Sequence, residues 1–370
     1  MSEKRLIIHP GFHKSGTTAL QEAFALNRPL LCENGILYPP IGTKAHHRVA
    51  WALTQRPWGW SKRGGEKTPE KYWDRMSSRI NGAKEETVIL SSEFFSEIDG
   101  ERIRKIRGEI KGRDIQILFT LRPLAKLLPS SYQQYLKYGI TVEYEDWLHA
   151  ILDKPGESKV SPTFWKRHSH GKVVARWVDI FGKSNVTLLI VNEAHPTFLF
   201  DEINKFLNLP TGTLNAAPSG SNRSLTMEEI SLLLELNRQF PKERVWDEYE
   251  IFIRAGYIKE LTDFVPPAPD KARLLTPQWA IDKANQLGAE IQRELIGSGA
   301  KIIGDIDSLG NASVPAGTST YPDTIDIKTV SAAMLTFDQE TIKKFPLKWI
   351  TRNLKERALK QIRARSSRFR

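Results

Sequence analysis

Arg5-Leu6-Ile7-Ile8-His9-Pro10-Gly11-Phe12-His13-Lys14-Ser15-Gly16-Thr17-Thr18 stands near the N-terminus, and its reading decides the fold. Residues 5–9 are a short apolar run without helical spacing. Pro10-Gly11 interrupt it, and from about residue 17 to 26 the pattern turns helical, so the stretch reads as strand, loop, helix. A loop in that position gathers backbone N–H groups and a helix N-terminus around one point, which makes an anion site. Further apolar, β-branched runs stand at 87–90, 115–121 and 186–191, separated by segments with helical spacing. Strands alternating with helices predict an α/β fold: a central, mostly parallel, buried sheet flanked by helices.

The chain has 370 residues, 40% hydrophobic and 26% charged, enough for one large α/β domain or two ordinary ones and unlike a fibrous or disordered chain. No apolar stretch approaches the roughly 18 consecutive residues of a membrane span. After Lys4 and Arg5 only Leu6-Ile7-Ile8 precede His9-Pro10, shorter than the roughly 7–15 residue core of a secretory signal. The single cysteine, Cys32, excludes an intramolecular disulfide framework and makes no thiolate metal site by itself. A reducing, cytoplasmic location is the expectation, and no metal is implied.

The net charge of +11 is concentrated at one end: between 343 and 370 eleven Lys/Arg face one acid, Glu356, and the rest is nearly neutral. Such a distribution argues against nucleic acid as partner and leaves open a peripheral contact with the inner face of an anionic membrane. Leu347, Ile350, Leu354, Ala358 and Ile362 recur at spacings of three and four, with Phe345 and Trp349 near the start. That is an apolar stripe on a basic helix, to be weighed against a solvated tail or a helix docked on the domain. Trp51, Trp58, Trp60 and Trp73 stand among Pro, Gly, Lys and Arg, which reads as a mobile flap whose tryptophans either stack on a sugar or simply pack. The expected organisation is a domain over 1–304 with a lid at 51–73, a Ser/Thr/Gly/Pro-rich linker at 305–327, and a C-terminal helical region with its basic tail at 328–370. In the largely helical second half, Thr226-Met227-Glu228-Glu229 has capping-box spacing.

The loop spans Gly11 to Thr18 with nearly the spacing of a nucleoside-triphosphate P-loop, G-x-x-x-x-G-K-[ST], but Thr17 stands where that motif has lysine. Lys14 sits inside the loop instead. Lys14-Ser15-Gly16-Thr17-Thr18 resembles the 5′-phosphosulfate-binding loop of sulfotransferases that use 3′-phosphoadenosine 5′-phosphosulfate (PAPS). Leu118-Phe119-Thr120-Leu121-Arg122-Pro123, with Ser130 eight positions after the arginine, resembles that family's 3′-phosphate element. The segments around 174–191 and 198–209 look like the helix, strand and helix that close the sulfotransferase sheet. The resemblance covers roughly residues 5–240, more weakly to about 310, and with Gly35-Ile36-Leu37-Tyr38-Pro39 and His46-His47 it is closest to bacterial members.

The resemblance implies a P-loop-like sulfotransferase fold and transfer of a sulfuryl group from PAPS to a hydroxyl acceptor. It puts Lys14, Ser15, Gly16, Thr17 and Thr18 on the 5′-phosphosulfate, and Arg122 and Ser130 on the 3′-phosphate. Arg223, ahead of the capped helix, would add a second cation there, although the family's glycine-rich C-terminal phosphate motif is not plainly present.

Sulfuryl transfer needs an activated hydroxyl, in-line geometry and positive charge at the leaving phosphate oxygen. Lys14 is placed for the last task. Glu93 is the first choice for the base, because 88–93 carries a strand to its carboxyl end, where open α/β sheets place ligands; its competing role is to cap the following turn. His46 and His47 are rival bases, and His13 would contact the sulfate or fix the backbone. The tryptophan cluster is consistent with a carbohydrate or lipid-linked glycan as acceptor. Two other classes stay open: a P-loop small-molecule kinase, disfavoured by Thr17 and by the lack of an obvious strand-end Asp for magnesium, and a membrane- or nucleic-acid-binding protein with a vestigial nucleotide site.

Overall fold

In a computed structural model of the chain the described residues are 4–41, 44–57, 67–216, 223–241, 246–264, 271–334 and 347–366. They form two compact units: Met1–Tyr135, Val142–Gly220 and Leu274–Ser319 make the first, Leu136–Thr141, Ser221–Arg273 and Thr320–Arg370 the second.

The first unit is built on six strands: β1 (Arg5–His9), β2 (Ile36–Leu37), β3 (Thr87–Ser91), β4 (Asp114–Leu121), β5 (Val186–Ile190) and β6 (Lys301–Ile303). Their order is β2-β3-β1-β4-β5-β6 and every neighbouring pair is parallel. The expected α/β architecture is present, with the sheet parallel throughout.

The reason lies in the side chains, since β3 and β5 are buried along their whole length and apolar on both faces. Leu6, Ile8, Val88, Leu90, Phe119 and Leu188 enter one core. There they meet Val49 of α3 (His47–Thr54), Trp73 of α4 (Lys71–Gly82), Ile103 of α5 (Gly100–Glu109) and Trp177 of α9 (His170–Phe181). Ile7, Ile89, Leu118 and Leu189 alternate to the opposite face and meet Leu20 and Phe24 of α1 (Thr17–Leu26), Leu31 of α2 (Arg28–Glu33) and Ile203 of α10 (Phe198–Phe206). Each such fully buried large side chain contributes about 1.5–3 kcal/mol, so two helical layers, not propensity alone, hold the strands.

Two composition-based expectations meet a different arrangement. Trp73 is fully buried and its Nε1 donates to Glu109 at 2.5 Å, so it belongs to the core and not to a flap. Trp51 sits on α3, while Trp58 and Trp60 lie outside the described residues. Residues 305–319 belong to the first unit: Leu309 is buried, and a Cβ on Gly288 would stand only 2.0 Å from the Leu309 carbonyl oxygen. Glycine there permits the close approach that seats this segment on helix Gln278–Gly297.

In the second unit the capping box forms as expected: Thr226 accepts from Glu229 N, and Glu229 Oε2 accepts from Thr226 N. Asn237 donates to the carbonyls of Leu136 and Ile140 and accepts from the Tyr249 hydroxyl at 2.6 Å. The basic segment forms helix Leu347–Ser366, with Leu347 and Leu354 exposed and Trp349 Nε1 3.4 Å from Glu248 Oε1. Phe345 and the Ile362 side chain lie outside what is described. Among the described residues no helix is long and apolar enough to cross a membrane.

Candidate active site

The chain leaves β1 toward β2 and β3 on one side and later adds β4 on the other, so the strand order reverses at β1. Open parallel sheets bind ligands at the carboxyl ends of strands at such a point. The carboxyl ends of β3, β1 and β4 deliver Ser91-Ser92-Glu93, the loop from Gly11 and Arg122 respectively.

The loop is held in a strained but well-supported shape. Gly11 (φ 50°) and Gly16 (φ 85°) take left-handed conformations, and so does Lys14 (φ 66°), a non-glycine residue. A Cβ on Gly11 would come within 2.4 Å of the Thr17 methyl group. Gly16 is the N-cap of α1 and offers no side-chain cap, and the first turn carries no acidic residue. The first intrahelical bond runs from Leu20 N to Gly16 O at 3.2 Å. The N–H groups of Thr17, Thr18 and Ala19 therefore precede the ladder and are presented at the positive end of the helix. Thr17 is buried at 4% exposure and Thr18 is exposed.

Beneath the loop runs a chain of buried polar groups that crosses three strands. Ser15 Oγ donates to the Phe12 carbonyl (2.7 Å) and accepts from Phe12 N (3.2 Å). Its proton is thus engaged, so the 2.9 Å contact with Thr120 Oγ1 has Thr120 as donor. Thr120 must then accept at 3.1 Å from His9 Nε2–H, which leaves His9 Nδ1 to accept from Ser91 Oγ at 2.8 Å. All four side chains are at most 1% exposed. The tautomer this requires is the neutral one, and burial, with Glu93 opposing it, pulls the imidazole down to about 4. Reading motifs along the chain missed His9, Ser91 and Thr120, although each is a polar residue at the end of an apolar strand.

Around the loop mouth three charged groups converge. Lys14 Nζ donates to Gln134 Oε1 at 3.2 Å. Its ammonium is lowered first by burial, with Glu93 raising it and Arg122 lowering it again. Arg122 donates through Nη1 to the Lys14 carbonyl (3.3 Å) and pairs through Nη2 with Glu193, which also lies 3.0 Å from Lys126 Nζ. Arg122 Nε is buried and has no partner among the described residues. Glu193, the carboxylate that pairs with Arg122, lies directly beyond β5. Ser130 lies on α6 (Leu124–Leu136), where its Oγ donates to Leu127 O at 3.0 Å, so its proton is used within its own helix.

Glu93 Oε2 accepts from Gln21 Nε2 at 3.1 Å and stands 3.8 Å from His47 Nδ1. Burial alone raises its carboxyl, but His47, His13 and the Gln21 bond outweigh that and hold it below the usual carboxylate range. The turn after β3 is capped by Ser92, whose Oγ accepts from Phe94 N, so Glu93 is not the cap. His47 Nδ1 is 2.8 Å from Ser92 Oγ. Both ring nitrogens of His46, the rival base candidate, are engaged within the fold: Nε2 donates to Pro39 O (2.9 Å) and Nδ1 accepts from Ser91 N (3.0 Å). Burial pulls it down to about 4. Nδ1 fastens the start of α3 to β3, and Nε2 fastens it to the segment after β2. His13 Nε2 is bound to Glu97 Oε1 at 3.2 Å, which ties the loop to α8 (Phe164–His168) through Arg167 Nε at 2.9 Å from the same oxygen. Arg223 lies in the second unit, where it forks onto Glu229 at 2.7 and 2.8 Å and donates to Leu261 O.

An uncapped helix N-terminus, an ammonium and an arginine with a buried, unpartnered Nε suit a ligand carrying two separate anionic groups. No family model matches the chain, and no curated protein matches it. Among solved structures the chain is similar to a sulfotransferase from Alicyclobacillus acidocaldarius, at 18% identity over 64% of this chain and 93% of that one, with a TM-score of 0.40. At that distance the likeness carries no conclusion about this chain's activity.

Proposed function

We propose that the chain is a sulfotransferase that moves a sulfuryl group from PAPS to a hydroxyl acceptor. The observation that carries this reading is the meeting, at three adjacent strand ends, of an uncapped anion loop containing Lys14, of Arg122 with its unpartnered Nε, and of the ionised carboxylate Glu93. Bound, PAPS supplies the sulfuryl group, whose S–O bond to the 5′-phosphate breaks as the acceptor oxygen bonds to sulfur, leaving adenosine 3′,5′-bisphosphate. The N–H groups at the head of α1 and the Lys14 ammonium hold the 5′ end. Arg122 takes the 3′-phosphate after exchanging Glu193 for it, and Ser130 needs a rotamer change to assist. Glu93 receives the proton of the acceptor hydroxyl, and being ionised well below neutral pH it does so at the cost of some driving force. Lys14 faces the charge that develops on the departing phosphate oxygen.

Glu93→Gln keeps the shape and removes the proton acceptor. Turnover measured as bisphosphate release should fall by about 10²–10⁴-fold with bisphosphate affinity nearly unchanged. Near-parental turnover in that variant, with loss in His47→Ala, moves the base to His47.

A further inference from the structure

Next to Glu93 lies a small, partly open cleft whose walls include Trp51, Arg56, Phe94, Glu97, Lys166 and Arg167. It adjoins the site through Phe94 and His47. Phe94 follows Glu93 in sequence, and the His47 ring, 3.8 Å from Glu93 Oε2 through its Nδ1, packs on both Phe94 (5.1 Å) and Trp51 (5.8 Å). Trp51 and Phe94 meet edge to face at 5.1 Å and form one aromatic wall.

Among the described lining residues the charged groups are three cations and one carboxylate. Glu97 is the one carboxylate among the lining residues, and it is already committed: Oε1 accepts from Arg167 Nε at 2.9 Å and from His13 Nε2 at 3.2 Å. Lys166 Nζ reaches only to 3.8 Å of its other oxygen. Arg56 is exposed and pairs with no carboxylate among the described residues. The cleft thus holds three cations against one anion. Burial lowers the Lys166 ammonium; Glu97 opposes this, while Arg56, Arg167 and Arg176 push it lower still.

We propose that this cleft is the acceptor subsite and that the acceptor is itself an acid, a hydroxylated ring such as a uronic sugar whose carboxylate sits on Arg56 and Lys166 while the ring lies along Trp51. The term acceptor rests on the sulfotransferase reading of the neighbouring loop; the preference for an anion rests on the cleft alone. A carboxylate here gains charge-assisted hydrogen bonds beside an apolar wall, whereas a neutral sugar leaves Lys166 with only its 3.8 Å contact to the shared Glu97.

The test is calorimetric titration of the full chain with methyl β-D-glucuronide and methyl β-D-glucoside, each with and without adenosine 3′,5′-bisphosphate. Parent, Lys166→Met and Arg56→Gln are compared, with melting temperature as the control for folding. The expected result is a preference for the uronide of about tenfold or more, the scale of one charge-assisted contact, which both substitutions reduce. Equal binding of the two glycosides, no binding of either, or a preference untouched by both substitutions overturns the proposal. A uronide preference that stands while the bisphosphate fails to bind supports the anion cleft and counts against the sulfotransferase reading.

Discussion

The two ends of the anion site are built on opposite plans. At the Gly11–Thr18 loop the buried side chains of Ser91, His9, Thr120 and Ser15 satisfy one another in a chain beneath the turn, and the helix N–H groups face outward. At Arg122 the functional side chain is half-exposed, one of its nitrogens lacks a partner, and its charge is met by Glu193, a carboxylate that a ligand must displace. The first end is preassembled by burial. The second is poised by competition, so it should respond to small changes in charge where the first responds to changes in protonation and packing.

Acid should break the first end most severely. The imidazoles of His9 and His46 are held near about 4, and that of His170 near about 3, by burial, against about 6.5 in an unfolded chain. Between those values the unfolded state binds more protons, so the stability these groups contribute is present above about pH 6.5 and is lost as pH falls toward 4, by about 3 kcal/mol for each of His9 and His46. Chemical denaturation across that range should show the decline; a flat profile removes the neutral-relay assignment. At neutral pH, Thr120→Val deletes the link between His9 and Ser15 and should cost about 1–3 kcal/mol, because it leaves the buried His9 Nε2–H without an acceptor.

The Arg122 end is broken by Arg122→Ala, which should weaken bisphosphate binding by about 1.5–3 kcal/mol while melting changes little. Glu193→Gln sharpens the contrast in the other direction. With its competitor gone, Arg122 should bind the bisphosphate up to about fivefold more tightly, since a partly exposed ion pair contributes only about 0–1 kcal/mol. Unchanged affinity would mean that Glu193 does not compete.

The sheet was legible because apolar runs of four to seven residues recur between helical segments, and the loop because Pro10-Gly11 and Gly16 punctuate the first of them. Glu93 was legible from its place at a strand end. The same rule, applied to Asn192-Glu193 after β5, would have found the partner of Arg122. What the sequence hid are the pairings across strands. Nothing near His46 in the chain indicates that Pro39 and Ser91 occupy both its nitrogens, and nothing near Ser15 indicates Thr120, 105 residues away. Composition misled at Trp73, where a tryptophan among polar neighbours is a core residue on α4, and at 305–319, where a linker-like stretch packs against Gly288.

The most direct measurement is calorimetric titration of the full chain with adenosine 3′,5′-bisphosphate, adenosine 5′-monophosphate, and ATP with magnesium. A site with both a loop for the 5′ end and an arginine for the 3′ end should bind the bisphosphate at least about tenfold more tightly than the monophosphate, with ATP the weaker ligand. Equal affinity for the bisphosphate and the monophosphate, or ATP with magnesium as the tightest ligand, would contradict it.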